Sequence, residues 1–392
     1  GVLRSQLRAV VRYVRRRCPK QAWRDKCQRS PTYGSVLQPE TVNLYQLTDW
    51  VIQPATEARQ CSYVEFVADG PQRPRWFVSH WWGEPVVDFL ACLEQHAKDR
   101  ELAEGDPYWV CAYANNQWDL KSDINAEQDP QQSSFRRAME IAEGAISILD
   151  KDAVCYSRIW CCYEVWVATG ELSEARRKKP YRYDMYTSLG KQAVGITDGC
   201  AERDSHDKFP MDAKSKREKP FPIELCRRAF GIKLQDAVTT EPGDRRRILN
   251  SIARARNLRA EPPHQHPQYD QLNSNLHGRF AVASWRFALE SGFPMQPYLD
   301  ALQRCNLPKL ELSFDNCDAL RDEHVSDLAG TITRAVDTVQ LDFSFCSELT
   351  DRSLTSLRAG LAASHALKRL ALDFTFCKQI TDDGAVDLAA GL

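Results

Sequence analysis

The apolar residues of this chain recur with different periods, and the changes of period divide it. Residues 1–17 place Leu3, Leu7, Val10, Val11 and Val14 at helical spacing among Arg4, Arg8, Arg12, Arg15, Arg16 and Arg17, and Pro19 stops the helix. That basic amphipathic helix predicts docking of its stripe on a neighbouring domain, with the arginines in water. Short apolar runs at Val42–Leu47 and Tyr63–Val67 read as a cover segment, so residues 1–70 form one region. From residue 71 short apolar strands alternate with amphipathic helices. Strands are expected at Arg75–Ser79, Tyr108–Tyr113, Ala145–Leu149, Tyr181–Tyr186 and Gly231–Val238, and helices after Pro85, over Ser133–Gly144, from Ser157 to Ala168 and over Pro242–Arg256. Such alternation predicts an α/β domain over 71–256, a flavodoxin-like parallel five-stranded sheet with helices on both faces. Residues 198–220, rich in Lys208, Lys214, Lys216, Arg217 and Lys219, read as a disordered or surface insertion. Residues 257–300 read as linker and connecting helices. His264 and His266 lie there without companions at ligand spacing, so no metal is expected.

The last region, 301–392, repeats itself. Leu307, Leu310, Leu312, Phe314, Cys317 and Leu320 align with Val336, Val339, Leu341, Phe343, Cys346 and Leu349, and again with Leu367, Leu370, Leu372, Phe374, Cys377 and Ile380. Each unit predicts a strand of period two, a turn with a buried cysteine, and a helix such as Leu354-Leu357-Leu361. This pattern resembles the leucine-rich repeat, which implies an α/β solenoid whose curved surface binds a protein partner. The opening glycine and the stop straight after a helical pattern read as cut ends of a longer protein.

Charge and composition narrow the function. Acidic and basic residues nearly cancel, which argues against a nucleic-acid partner. No apolar run reaches the roughly 18 residues of a membrane span. Fourteen cysteines lack an extracellular spacing, and many lie in apolar patterns, so a reducing, cytoplasmic location is expected.

One carboxylate stands out. In Ser157-Arg-Ile-Trp-Cys-Cys-Tyr-Glu164 the only acid is Glu164, and helical spacing puts it on a stripe with Ser157, Trp160, Cys161, Val165 and Ala168. A buried glutamate tends to keep its proton and to serve acid, base or hydrogen-bond work. The competing reading has Arg158 or solvent satisfy it. The strand ends, where open parallel sheets bind ligands, carry Ser79-His80-Trp81-Trp82-Gly83 and Asn115 to Trp118, with a long polar loop over 114–132 that reads as mobile.

Residues 75–256 resemble a Toll/interleukin-1 receptor (TIR) domain. Phe77-Val78-Ser79-His80-Trp81-Trp82-Gly83-Glu84 looks like its first strand and turn, Phe135 to Leu149 like its helix and third strand, and Ser157 to Glu164 like its Ser-x-x-Trp-Cys-x-x-Glu block. The resemblance implies that Glu164 is the catalytic residue of an NAD⁺ glycohydrolase that cleaves the nicotinamide–ribose bond. Substrate contacts are then expected from Ser79, His80, Trp81, Trp82, Gly83, Asn115, Trp118, Trp160 and Cys161, the tryptophans serving as stacking surfaces unless they are ordinary core. NAD⁺ would be substrate, with no bound cofactor. Self-association through the domain is implied too, and the alternative is a non-catalytic signalling scaffold. Trp82 stands where plant-type members carry an arginine before the turn glycine, which puts phosphate or ribose contacts by that arginine in doubt.

Overall fold

The computed structural model describes residues 1–28, 30–120, 122, 129–172, 180–188, 192–239, 241–305, 307–332 and 336–391. The chain forms two compact units, one of Gly1–Asp198 with Lys233–His266 and one of Gly199–Ile232 with Pro267–Leu392. Neither follows the expected borders. The segment around 198–220 belongs to the second unit, as do the helices expected to connect.

In the first unit helix α1 (Arg4–Arg17) buries Leu7, Val10, Val11 and Val14. Its Arg4 and Arg8 bind Glu94 and Glu104. The sheet contains β1 (Trp76–His80), β2 (Tyr108–Val110), β3 (Gly144–Leu149), β4 (Arg182–Ser188) and β5 (Ala193–Ile196), in the spatial order 2-1-3-4-5. The first four run parallel and β5 runs antiparallel to β4, so the sheet is mostly parallel. The fifth strand is not Gly231–Val238. There Leu234 and Ala237 bury at a spacing of three in a tight helical turn, and Val238 forms only an isolated bridge with Arg158.

Helices cover both faces. On one side lie α1 and α2 (Val86–Asp99); on the other lie α3 (Ser134–Ile141) and α4 (Ile159–Trp166). Strand alternation sorts the side chains between them. Trp76, Val78, His80, Ile146, Ile148, Asp184 and Tyr186 face α2, whereas Phe77, Ser79, Ser147 and Tyr183 face α4. Gly144 is needed where β3 passes β1, since a Cβ there would stand 2.6 Å from the Trp76 ring and 2.8 Å from the Arg182 carbonyl.

The α2 face holds a buried charge network that the sequence did not announce. Arg100 grips Asp184 with two hydrogen bonds of 2.8 and 2.7 Å. Burial pushes the Asp184 carboxyl up, but the Arg100 charge and hydrogen bonds from His96 and Arg100 overcome it and leave it well below the usual range. His96 Nε2 lies 3.3 Å from the same carboxylate, yet burial lowers its pKa and Arg100 repels a second positive charge, so the ion pair is Arg100–Asp184.

In the second unit, the segment read as disordered contains the helix Pro210–Glu218. Its charges are paired: Arg217 with Asp204 at 2.8 and 2.7 Å, Lys214 with Glu218 at 2.6 Å, and Lys216 with Asp212 at 2.5 Å. The helices Pro267–Glu290 and Gln296–Arg304 share a core with three strands, β6 (Lys309–Ser313), β7 (Thr338–Asp342) and β8 (Arg369–Asp373). These strands are parallel and in the register of the sequence repeat, Leu310↔Val339↔Leu370. Each is followed by a turn and a helix. Phe314, Phe343 and Phe374 stack at 5.6 and 5.1 Å between centroids, and the Cys346 and Cys377 thiols each donate 3.1 Å to the carbonyl of the preceding unit's phenylalanine.

Candidate functional site

In a sheet of order 2-1-3-4-5, β1 and β3 are the neighbours whose connections depart in opposite directions, and the crevice beyond their carboxyl ends is the natural ligand position. Ser79 ends β1 on the α4 face. After β3, Asp150 accepts from the Val154 amide (2.7 Å), starting a turn that carries Cys155 to 3.7 Å from the Ser79 hydroxyl. The chain then enters α4, whose entry is pinned by Val238: its N–H donates 2.8 Å to the Ser157 carbonyl, and its own carbonyl accepts from Ile159 at 3.0 Å. One turn into α4, Cys161 faces the His80 carbonyl at 3.7 Å, and Glu164 follows.

Glu164 is 4% exposed, and its Oε2 has no hydrogen-bond partner. Burial raises its pKa well above the ordinary value, the nearby Cys161 adds to the rise, and the Ser79 hydroxyl opposes it. The group therefore holds its proton to higher pH than an ordinary glutamate. The thiols around it are inert: the Cys161 pKa is raised by its hydrogen bond with Cys155 and by burial, and burial also raises that of Cys111. Trp82 donates its indole N–H to Cys111 Sγ at 3.1 Å, and Tyr45 from the cover segment leans on the Trp82 ring, centroids 5.5 Å apart. The cover is held there by the Leu44 amide, which donates 2.9 Å to the Trp82 carbonyl.

The expected site residues thus separate. Ser79, Cys161 and Glu164 come together, and Trp82 joins them through Cys111. His80 does not, because adjacent strand residues face opposite ways. It is buried against Phe89 at 4.9 Å, and burial lowers its pKa to about 4. Trp118 also turns elsewhere, donating to Thr56 Oγ1 at 3.0 Å. Trp160 stacks on Phe135 at 4.9 Å and donates to Asp244 at 2.9 Å, so its ring is already engaged. Trp81 folds over Gly83, where a Cβ would stand 2.2 Å from the indole, and Asn115 is buried beside Gln117. Within the loop 114–132, residues 121 and 123–128 lie outside the described residues.

Sequence reasoning missed four contributors. Tyr45 arrives from far away in the chain, Cys111 and Cys155 carried no signal beyond an apolar context, and Glu84 looked like part of a turn. Glu84 is buried near Asp150 and Asp88, and desolvation followed by those two charges pushes its pKa up to about 8. Among the described residues no group of His, Cys, Asp and Glu is arranged to hold a metal ion, and no helix is long and apolar enough to cross a membrane. All fourteen cysteines are free. An open groove along α2, lined in part by Arg4, Glu94, Glu101 and Leu102, belongs to the face opposite Glu164.

Comparisons of the chain with protein-family models, curated proteins and solved structures return no match.

Proposed function

We propose that the first unit is a TIR-like NAD⁺ glycohydrolase and that the second is a leucine-rich-repeat surface that binds a protein partner. The observation that carries the enzymatic half is the buried Glu164, one oxygen of which has no partner, beside Ser79 at the carboxyl ends of β1 and β3. Arg158 does not satisfy it, and the residue is only 4% exposed. A carboxyl group costs free energy in such a place, and a scaffold requires none.

The chemistry follows from that environment. A nicotinamide riboside is cationic, so its arrival favours the ionised form of Glu164, whose proton passes to bulk water. The carboxylate then orients the ribose hydroxyls and stabilises the oxocarbenium-like sugar as the C–N bond breaks. Nicotinamide departs neutral with the electron pair of the C–N bond and needs no strong acid; water attacks the sugar and gives its proton to the Glu164 carboxylate. Ser79 holds the carboxyl by hydrogen bonding, and Trp82 offers a half-buried ring for stacking. Residence in the cytoplasm and assembly through the α/β unit belong to the same reading, with a non-catalytic scaffold as its competitor.

The test is nicotinamide release from NAD⁺ by the purified chain at high concentration, alongside Glu164→Gln. Release that falls about 10²- to 10³-fold in the variant supports the enzyme. A folded wild-type chain that releases none, even when clustered, moves the function to the scaffold.

A further inference from the structure

The substrate proposed above has an anionic half, and the site described so far offers it nothing. Glu164 offers no positive charge, Ser79 is uncharged, and the turn after β1 presents an indole from Trp82. One cation does stand at the crevice. Arg158 is the residue just before α4, held in extended conformation by the Val238 clamp on both sides of it. The residue is half-buried, and its side chain makes no ion pair or hydrogen bond among the described residues. It stands at the entry to α4, three residues before Cys161, and its charge acts on the Tyr45 hydroxyl and on the Cys161 thiol. Arginines nearby in the unit are engaged: Arg136 binds Glu140 and Glu171, Arg75 binds Asp106 and Glu143, and Arg100 binds Asp184. An arginine with a fixed backbone and a free fork is suited to two phosphate oxygens at once.

We propose that Arg158 is the diphosphate-binding residue of the Glu164 site, with the Tyr45 and Trp82 rings forming the wall beside it. This rests on the glycohydrolase reading for its substrate but not for its anion chemistry. Arg158 anchors the diphosphate while Glu164 works at the ribose, so one short segment, Arg158 to Glu164, serves both ends of the scissile half of the dinucleotide. Tyr45 makes the cover segment part of the site.

The probes are ADP and inorganic pyrophosphate, titrated calorimetrically into the full chain and into Arg158→Ala, Arg158→Lys, Glu164→Gln and Arg16→Ala, the last a distant exposed control. Loss of one guanidinium–phosphate contact is expected to weaken ADP binding about 10- to 100-fold in Arg158→Ala. Arg158→Lys should fall between, and Glu164→Gln and Arg16→Ala should match wild type. In steady state, Arg158→Ala should raise KM for NAD⁺ and leave cleavage of nicotinamide riboside, which has no phosphate, unchanged. ADP binding equal to wild type in Arg158→Ala overturns the proposal, as does a wild-type chain that binds neither probe. Equal loss on riboside and NAD⁺ overturns it too, because a collapsed site would do that. If ADP binding depends on Arg158 while no nicotinamide is released from either substrate, the anion subsite stands and the glycohydrolase reading alone fails.

Discussion

The two faces of the first unit's sheet each bury a carboxylate, and they treat it oppositely. On the α2 face Asp184 is ionised, gripped by Arg100 through two hydrogen bonds and reached by an Asp198 amide at 2.8 Å. On the α4 face burial raises the Glu164 pKa well above the ordinary value, and one of its oxygens has no partner. The first arrangement compensates the cost of burial within the fold. The second leaves the cost standing, and a group kept at a cost to stability is where binding or chemistry should be sought.

The sharpest way to break this comparison is to orphan Asp184. Arg100→Met leaves a buried charge unpaired, and denaturant unfolding should show a loss of about 3–5 kcal/mol. The double variant Arg100→Met with Asp184→Leu should regain most of it. A single variant within about 1 kcal/mol of wild type would mean that the network is not structural.

Glu164→Gln should do the reverse. Glu164 binds its proton more tightly folded than unfolded, so above the unfolded value near 4.5 the folded state carries the extra proton and stability falls as pH rises. The variant should therefore be more stable than wild type by about 1–3 kcal/mol at pH 8 and equal to it at pH 4. Melting curves across that range read the difference, and a variant less stable at pH 8 would show that Glu164 is structural. Glu84→Gln should behave alike over a bounded window, its advantage growing from about pH 4.5 and levelling off above the Glu84 pKa of about 8. The smallest effect is expected in the second unit. Cys346→Ala removes one thiol donor and little volume, which should cost about 1–2 kcal/mol without touching nicotinamide release. Altered release would mean that the repeats report to the site.

Much of this architecture was legible in the chain. Strands β1 to β4 are short apolar runs between turn residues, and the register of the repeats can be read from Cys317, Cys346 and Cys377 alone. Glu164 was legible as well, because one acid in an apolar helix has few places to go. The rest depended on information that spacing does not carry. His80 was grouped with Ser79 although alternation along a strand forbids both from reaching one pocket. Ala193–Ile196 is too short and too small in its side chains to declare itself, and it becomes a strand only because Met185 to Ser188 offer it an edge. Tyr45 is aimed by a backbone bond to Trp82, a tertiary fact. The charged stretch after Asp198 read as a disordered or surface insertion, although its Lys–Asp and Lys–Glu pairs at four-residue spacing were a helical signal in plain view.

The route of the chain through its two units also sets limits on how the protein can be taken apart. Residues 199–232 leave the first unit, lend Leu225, Cys226 and Ala229 to the second, and come back to the Val238 clamp. A fragment cut at the apparent domain border near residue 256 would keep that excursion but lose the helix Pro267–Glu290 and Tyr298, against which it packs. Such a piece would display a sticky, half-folded arm immediately before the residue that pins the entry to α4. Low solubility or weak nicotinamide release in an isolated first unit would then report the missing packing partner, and a fair trial of the proposed activity needs both units on one chain.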